Sequence, residues 1–558
     1  MATIEQPSPL GLPGCAHDPP PEGTSSNVSA DPPVPPPADP SGPEGTSEAS
    51  GVDATEPASE LRQALSSAGS DALSYVPARF VPALATLLSV PVFTALIQPR
   101  DYGAFYLVSS VLLLVSNISV GWISSAALRF YWPAELEGRT DAFSATVVWS
   151  ALTALVMTAL MGAVVVWFGR GLIAHDVWRL VPAALVFYVL NYLTDLLSGL
   201  LRAAKQASTF ARLQVAGALL STALSIGCVW IGRLGAAGIF AGGALAWLVL
   251  LFPLLRSVSN LGSIAPSHVD SRLLGQFWTF GLPLVPVYLS SWALGLIDRF
   301  VIQAYLGTTQ VGLYSVAYGL GDRFMQLATM PLMLTMVPSL IEAYEHHGQN
   351  LAEKVQTHFV RYFALVTFPV VAGLLAAAHS FMRVFTSPAY TSAWPVLAVV
   401  AAGTMCASFA QIATTGLTIH HRTRTVMANS LIAAVFNLGA NIVLVPRFGY
   451  MAAAYNTLLA YLLIMVLAWA SSRHTMPLHI PFADLARVTC AAAGMGLVMW
   501  LPFARIAIPT RIVALGVLAA QLVIGALVYL ALILVLRAVR NDEVRAFAGA
   551  ARRLLGGA

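Results

Sequence analysis

The tripeptide Asp-Arg-Phe occurs twice in a part of this sequence that is otherwise mostly apolar. The first copy contains Asp298 and Arg299, and the second contains Asp322 and Arg323. A guanidinium group binds phosphate through paired, planar hydrogen bonds, and a carboxyl group in an apolar setting can take up a proton. Both groups are costly to bury without a partner. The two copies therefore indicate binding of an anion, coupling to an ion, or both.

The composition predicts that these charges lie in a membrane. The chain of 558 residues is 57% hydrophobic and 10% charged, and its mean hydropathy is +0.73. Soluble domains carry about 25% charged residues, and a soluble protein this apolar would expose large apolar patches. After Pro77 the sequence contains fourteen apolar runs long enough, or nearly so, to cross a bilayer core of roughly 30 Å. We predict an all-α polytopic membrane protein with about 14 transmembrane helices.

An internal repeat divides most of these helices into two sets of six. Three pairs of similar segments lie at nearly one spacing along the chain. They align Gly103 with Gly312 at a spacing of 209, Arg233 with Arg447 at 214 and Gly199 with Gly416 at 217. Chance similarity between glycine-rich helices is the alternative explanation. A repeat of this kind predicts two six-helix lobes with a substrate cavity between them, followed by two further helices.

The domain boundaries follow from the apolar runs and the composition. The first 60 residues hold 14 of the 34 prolines and no lysine, arginine or aromatic residue, which predicts disorder. We divide the chain into a proline-rich acidic cytoplasmic tail (1–76), a first lobe of helices 1–6 (77–257), a cytoplasmic linker (258–275), a second lobe of helices 7–12 (276–471), helices 13 and 14 (472–540) and a basic cytoplasmic tail (541–558).

The distribution of basic residues predicts the orientation in the membrane. With the N-terminus inside, 19 lysines and arginines fall on the inner side and 9 on the outer side. Both termini are therefore expected in the cytoplasm. The two longest connections, about 256–275 and 340–357, fall on the inner side. Residues 80–558 carry 28 lysines and arginines against 15 acids, which fits positive inner loops, contacts with anionic lipids or an anionic cargo.

The two Asp-Arg pairs differ in their expected depth. Asp298 and Arg299 end the seventh apolar run, where an ion pair at the surface is the simplest interpretation. Asp322 and Arg323 lie about a dozen residues into the eighth run, close to mid-membrane. Adjacent residues on a helix point about 100° apart, so the side chains of Asp322 and Arg323 are poorly placed to bond to each other. We expect Arg323 to face a cavity or a partner on another helix.

A polar stripe on the fourth helix supplies further candidates. Asn191, Asp195, Ser198 and Arg202 recur at three- and four-residue spacing and share one face. Hydrogen bonds between helices are the alternative role for the asparagine. The predicted substrate-binding residues are Arg323, Arg299, Arg202, Arg129 and Asn191, and the predicted ion-coupling residues are Asp195, Asp322 and Asp298.

The sequence offers little support for an enzyme or a metalloprotein. The four cysteines and eleven histidines have no spacing typical of a metal site, so we predict no metal and no cofactor. The chain has no GxxxxGK[ST] phosphate loop and no outward loop large enough for a polymerase or ligase site. No feature indicates a nucleic-acid partner.

Three stretches resemble bacterial polysaccharide flippases of the multidrug/oligosaccharidyl-lipid/polysaccharide exporter superfamily. They are "LGLIDRFVIQAYLGTTQVGLYSVAYGLGDRF", "RDYGAFYLVSSVLLLVSNISVGWISSAALRFY" and "NIVLVPRFGYMAAAYNTLLAYLL". With the fourteen apolar runs, the resemblance covers roughly residues 77–540. The acidic tail departs from the short N-terminus usual in that family.

The resemblance implies a transporter of the bacterial inner membrane with an undecaprenyl-diphosphate-linked oligosaccharide as its substrate. Alternating access would carry this precursor of O-antigen, capsule or exopolysaccharide across the membrane. Family members have cavities that are cationic or polar, and this resemblance implies that Arg129, Arg202, Arg299 and Arg323 line a cavity here. Expected partners are membrane lipids, a polysaccharide polymerase and cytoplasmic glycosyltransferases. A multidrug or cation antiporter and a peptidoglycan-precursor flippase, which share the architecture, remain open alternatives.

Overall fold

The computed structural model describes residues 77–169, 175–258, 265–503, 506 and 510–539, and every regular element in these ranges is a helix. Fourteen helices are long and apolar enough to cross a membrane, which confirms the predicted fold class. The two predicted tails, 1–76 and 541–558, lie outside the described residues. The helices are α1 (Pro77–Leu96), α2 (Pro99–Leu136), α3 (Thr140–Gly169), α4 (Val181–Ala203), α5 (Ala207–Trp230), α6 (Ala237–Val258), α7 (Ser271–Leu306), α8 (Thr308–His347), α9 (Gln349–Phe385), α10 (Pro388–Ile419), α11 (Thr423–Phe448), α12 (Tyr450–Ser472), α13 (Phe482–Trp500) and α14 (Arg511–Val535).

The same helix pairs pack together in the two halves. In the first half α4 and α5 both pack against α6, and in the second half α10 and α11 both pack against α12. This correspondence agrees with the internal repeat. The last two helices, α13 and α14, pack against each other and against α9. Their apolar faces thus cover one side of the second lobe.

The lobes meet where α2 and α8 begin, at the pair of glycines that the repeat aligned. A Cβ atom at Gly103 would overlap the carbonyl oxygen of Thr308, and one at Gly312 would overlap the carbonyl oxygen of Pro99. Only glycine permits backbones to approach this closely. The largest buried apolar cluster surrounds this contact and joins α1 and α2 to α8, α9 and α10.

Two helices are irregular near the boundary between the lobes. In α2 a π-helical turn, Asn117–Gly121, interrupts the α-helix. In α7 a 3₁₀ turn, Leu282–Leu284, separates Ser271–Gly281 from Val285–Leu306. Pro283 in this turn and Pro286 just after it lack the N–H groups that a regular helix would use, so the break has a local cause.

Helix α7 therefore belongs to both lobes. Phe277, in its first segment, is buried with Tyr131 and Phe143 of the first lobe. Val301, in its second segment, belongs to the cluster that contains α8 and α10. The lobe boundary predicted at residue 276 thus falls within the first segment of α7.

Two predicted helix ends differ from the structure. Helix α7 continues to Leu306, two turns beyond the predicted end at residue 298. The predicted connection 340–357 is almost entirely helical, because α8 runs to His347 and α9 starts at Gln349. Apolar side chains in these extensions, such as Leu340 and Ala352, are buried against Met476, so packing prolongs the helices where hydropathy alone indicated a loop.

Candidate functional site

A cavity of about 840 Å³ lies between the two lobes. Its walls come from the start of α1, the end of α4 and the start of α5 in the first lobe, and from α8, α10 and α12 in the second. It lies toward the end of the molecule opposite to the Gly103–Gly312 contact, because α1 starts and α4 ends at that opposite end. The lobes are thus joined at one end and separated at the other. The polar residues that line the cavity are Arg79, Thr86, Asp195, Arg202, Gln214, Asp322, Arg323, Gln326, Thr329, Thr404, Ser408, Gln411 and Tyr461.

Cationic groups outnumber anionic groups in this lining. Three arginines and two aspartates are present. Among the described residues none of Arg79, Arg202 and Arg323 has a carboxylate within ion-pair distance. Their guanidinium groups therefore remain able to bind an anion that enters the cavity.

Arg323 has the position that helical geometry predicted for it. Its side chain is exposed and lines the cavity. The neighbouring Asp322 is held by other groups: Thr404 Oγ1 donates to Oδ1 over 3.1 Å, and Gln326 Nε2 donates to Oδ2 over 2.8 Å. Because Asp322 is satisfied from α10 and from the next turn of α8, it does not draw Arg323 away from the cavity.

The end of α4 places a second arginine at the cavity. The Arg202 guanidinium carbon lies 5.4 Å from the centre of the Phe210 ring, which fixes it against the start of α5. Asp195, two turns earlier on the polar stripe of α4, lines the same cavity. The structure thus brings Asp195, Arg202, Asp322 and Arg323 together around one space.

The first Asp-Arg pair lies elsewhere. Asp298 and Arg299 are 1% and 3% exposed, so the expectation of an ion pair at the surface of a helix end is wrong. Arg299 NH1 lies 3.1 Å from Asp298 Oδ1 and also donates to the carbonyl oxygen of Gly295 over 2.9 Å. The hydroxyl of Tyr314 donates to the other carboxylate oxygen, Oδ2. The pair is enclosed because α7 extends beyond it and packs against α8.

Aromatic side chains separate this buried pair from the cavity. The Arg299 guanidinium carbon is 4.6 Å from the centre of the Tyr318 ring. The Tyr318 hydroxyl is 3.3 Å from the hydroxyl of Tyr461, which lines the cavity. Asp298 and Arg299 thus lie behind the cavity wall and do not line it.

Two other predicted residues are also absent from the cavity lining. Arg129 is exposed, and its guanidinium carbon lies 4.7 Å from the centre of the Phe280 ring. Asn191 is half-buried on α4. Substrate binding by Arg129, Asn191 and Arg299 stays a prediction without a contact to the cavity.

Sequence reasoning missed several lining residues. Arg79 lies at the start of the first apolar run, and nothing in its local sequence distinguishes it from a charge that merely flanks a helix. Gln326 follows Asp322 by four residues, so helical spacing would have found it. Tyr461 comes from α12, and only the packing of the lobe brings it to the site.

Within the described residues no group of three or more His, Cys, Asp or Glu side chains is arranged to hold a metal ion.

Fourteen long apolar helices, two similarly packed lobes and a polar cavity between them define a multi-pass membrane transporter. Residues 92–395 match the model of the family described as "Polysaccharide biosynthesis protein". This match covers more than half of the chain, and the chain belongs to that family.

Two curated relatives match shorter parts of the chain. The uncharacterized membrane protein MJ1068 of Methanocaldococcus jannaschii is 22% identical over 196 residues, which is 35% of this chain. The teichuronic acid biosynthesis protein TuaB of Bacillus subtilis is 25% identical over 137 residues, which is 24% of this chain. The matched regions span 38% and 27% of the lengths of these relatives.

Solved structures share the fold over a larger part of the chain. The lipid II flippase MurJ, in an inward closed conformation, aligns with a TM-score of 0.64 at 14% identity and covers 83% of this chain and 97% of its own. A multidrug resistance MATE family transporter of the MOP superfamily, in an inward-facing conformation, aligns with a TM-score of 0.59 at 14% identity and covers 70% of this chain and 94% of its own. At this identity the likeness concerns the fold alone.

Proposed function

We propose that this protein flips undecaprenyl-diphosphate-linked oligosaccharides, the precursors of a surface polysaccharide such as O-antigen, capsule or exopolysaccharide, across the bacterial inner membrane. Both termini lie in the cytoplasm in this proposal. The observation that carries it is a cavity between two lobes in which three arginines have no carboxylate partner among the described residues. Membership of a polysaccharide biosynthesis family supports the same class of cargo.

The cavity wall suits the two chemical parts of such a head group. Arg79, Arg202 and Arg323 supply planar guanidinium groups for the diphosphate. Gln326 and Gln411 supply amide groups for sugar hydroxyls, and Tyr461 supplies an aromatic face and a hydroxyl. Mixed charged and neutral polar groups of this kind fit a phosphorylated sugar better than an organic cation.

Alternating access requires the lobes to separate at one end while they close at the other. The Gly103–Gly312 contact closes the end where α2 and α8 begin, and the cavity lies toward the end that we assign to the cytoplasm. The two breaks, Asn117–Gly121 in α2 and Leu282–Leu284 in α7, lie in helices that pack on both lobes. Rocking of the lobes about these helices would carry the head group across.

Coupling to an ion gradient is a further part of the proposal. Asp195 and Asp322 place carboxyl groups in the cavity, where a proton or cation can compete with cargo for the site. Asp298 is the third candidate, although it lies behind the wall. A polysaccharide polymerase and cytoplasmic glycosyltransferases are the proposed partners, because they would consume and supply the cargo.

Flipping in proteoliposomes tests the proposal directly. The full-length protein is reconstituted with an undecaprenyl-diphosphate-linked oligosaccharide, and the head group that reaches the opposite leaflet is counted with an impermeant oxidant or lectin. The double variant Arg202→Gln/Arg323→Gln removes two phosphate ligands, each worth roughly 1.5–3 kcal/mol, so flipping should fall by roughly a hundredfold or more. Arg473→Gln is the matched control, since Arg473 is exposed beside Trp469 and does not line the cavity. It should flip cargo at the normal rate.

Two parallel arms separate the alternatives. A cationic drug and a lipid-linked peptidoglycan precursor replace the oligosaccharide lipid in otherwise identical vesicles. Transport of the drug with no flipping of either lipid would refute the proposal in favour of a cation antiporter. Preferential flipping of the peptidoglycan precursor would overturn the assignment to surface polysaccharide and leave a lipid flippase.

A further inference from the structure

The ends of α2 and α4 form a surface patch that the cavity does not use. We define it by Arg129, Trp132 and Lys205. Arg129 and Trp132 are one turn apart on α2 and share a face. The Lys205 ammonium nitrogen lies 4.6 Å from the centre of the Trp132 ring, which brings the α4–α5 turn against this face. The patch therefore contains one exposed indole and two exposed cations: the Lys205 ammonium lies on Trp132, and the Arg129 guanidinium carbon lies 4.7 Å from the centre of the Phe280 ring of α7.

The backbone at Lys205 shows that a side chain is retained there at a cost. Lys205 has φ 53°, a left-handed conformation in which glycine is cheaper. Its N–H bonds to the carbonyl of Arg202 over 3.1 Å, and the N–H of Gln206 bonds to the carbonyl of Leu201 over 2.9 Å, which is the helix-ending motif that glycine usually occupies. Lys205 thus occupies the glycine position of this motif, where its side chain costs conformational energy that glycine would not.

The same substitution recurs at other helix ends. The non-glycine residues with positive φ in the described part of the chain are all basic: Lys205, Arg233, His421 and Arg537. Attraction between a cation and the carbonyl end of a helix accounts for part of this preference. At Lys205 the ammonium group is directed onto Trp132 of another helix, so the helix end alone does not explain its placement.

The two cations of the patch form no ion pair with any residue that the structure describes. Neither Arg129 nor Lys205 has a carboxylate within ion-pair distance among the described residues. Glu135, the acid on α2 after Trp132, is exposed and has no ion pair with a described residue, and Glu137, which follows α2, is paired with Arg139 over 3.1 Å. Two cations against one nearby acid leave the patch with a net positive charge, and the complementary ligand is an anion.

The surroundings of the patch are those of a membrane interface. Leu128 and Leu136, on either side of it along α2, are 58% and 85% exposed, and Trp132 is 40% exposed. Tryptophan is enriched at the level of lipid head groups, and basic side chains near helix ends extend toward the same level. Exposed leucines beside paired cations suit a ligand with both a phosphate and acyl chains.

We propose that the Arg129–Lys205 patch binds the phosphate head group of an anionic phospholipid at the membrane surface on the cavity side of the first lobe. Arg129 and Lys205 hold the phosphate, Trp132 lies at head-group level, and the acyl chains lie along Leu128. The patch is separate from the cavity lining. The proposal thus holds whichever cargo the cavity carries.

Lipid titration of the purified full-length protein tests this proposal. The affinity for the first bound phosphatidylglycerol is measured by native mass spectrometry, with phosphatidylcholine and inorganic phosphate as comparison ligands. The variant is Arg129→Gln/Lys205→Gly, in which glycine relieves the left-handed backbone and so preserves the turn. Affinity for phosphatidylglycerol should fall roughly fivefold for each cation removed, and the binding of phosphatidylcholine should not change.

Arg233→Gly is the matched control, because it replaces another basic residue with a left-handed backbone, in the turn that follows α5 at the opposite end of that helix. Its affinity for phosphatidylglycerol should equal that of the unchanged protein. Unchanged affinity in the double variant, or equal binding of the two phospholipids, would overturn the proposal. The proposal would also be overturned if inorganic phosphate competed with an affinity equal to that of phosphatidylglycerol, because the acyl chains would then contribute nothing to binding. Displacement of phosphatidylglycerol by undecaprenyl diphosphate, together with lost flipping in the variant, would reassign the patch to the path of the cargo.

Discussion

The two Asp-Arg-Phe copies have the same sequence and different surroundings. In α7, Asp298 and Arg299 are buried and bonded to each other. In α8, Asp322 is bonded by Thr404 and Gln326, and Arg323 lines the cavity with no acidic partner among the described residues. The groups that other helices bring to the carboxylate therefore decide whether the neighbouring arginine is satisfied inside the lobe or remains available to a ligand.

The same comparison separates structural from functional charge. A buried ion pair must recover the cost of removing both ions from water, so it contributes little net stability while it is intact. Its loss is nevertheless costly, because the remaining ion is left uncompensated. An arginine that faces a polar cavity keeps much of its hydration, and its removal affects the ligand more than the fold. The two pairs should respond to substitution in opposite ways.

The largest effect is expected for Arg299→Ala. It leaves Asp298 buried with its charge uncompensated, and the free energy of unfolding should fall by about 3–5 kcal/mol. Thermal unfolding of the detergent-solubilised protein and its amount in the membrane measure this loss. The double variant Asp298→Asn/Arg299→Gln removes both charges and should recover part of the stability. A normal unfolding temperature for Arg299→Ala would show that the buried pair is not structural.

Arg323→Gln should show the converse result. The guanidinium group is replaced by a neutral amide of similar reach, so the affinity for a diphosphate-linked cargo should fall by roughly 10- to 100-fold. The unfolding temperature should stay within about 1 °C of normal, because the side chain has no partner in the fold to lose. Cargo binding and thermal unfolding are measured on the same preparation. A marked loss of stability with intact cargo binding would reverse the assignment of the two pairs.

Tyr314→Phe tests the support of the buried pair without removing a charge. The hydroxyl of Tyr314 donates to Asp298 Oδ2, and loss of one hydrogen bond to a buried carboxylate should cost about 1–3 kcal/mol. Tyr461→Phe is the matched control, because the hydroxyl of Tyr461 has, within the described part of the chain, only the neutral hydroxyl of Tyr318 as a hydrogen-bond partner, at 3.3 Å. The control should cost under about 1 kcal/mol. Equal unfolding temperatures for the two variants would argue against a special role of the bond to Asp298.

The general architecture could be predicted from the sequence because it depends on properties that are local in the chain. A run of apolar residues long enough for a bilayer must form a helix, since no other structure satisfies its backbone there. The repeat is visible in the sequence because Gly103 and Gly312 meet the same requirement: each permits the close approach of two helices. The orientation of Arg323 followed from the geometry of adjacent residues on one helix.

The burial of Arg299 could not be predicted in the same way. It depends on Tyr314 and Tyr318, which come from α8, and on the continuation of α7 beyond the apolar run. Arg79 reaches the cavity because α1 packs beside it, and a charge at the start of a helix has the same sequence pattern whether it meets a ligand or water. Contacts between helices decide both cases, and a single sequence does not record them.

The smallest effect is expected for Asp322→Asn. Its direction is distinctive, because cargo binding should become tighter. Thr404 and Gln326 can still hydrogen-bond the asparagine side chain, so stability should change by less than about 0.5 kcal/mol. Removal of a negative charge beside Arg323 should raise the affinity for an anionic cargo by roughly twofold to fivefold. If Asp322 also couples transport to an ion, flipping driven by a gradient should slow in the same variant although binding is tighter.

Asp298→Asn is the control for Asp322→Asn. The Asp298 carboxylate lies behind the cavity wall and is already neutralised by Arg299. It should lower the unfolding temperature and leave cargo affinity within about twofold of normal. Equilibrium binding and flipping are measured for both variants with and without an imposed proton gradient. Weaker cargo binding in Asp322→Asn would mean that this carboxylate contacts the cargo as a hydrogen-bond acceptor. Its role would then be in recognition, and Asp195 would remain as the coupling candidate within the cavity.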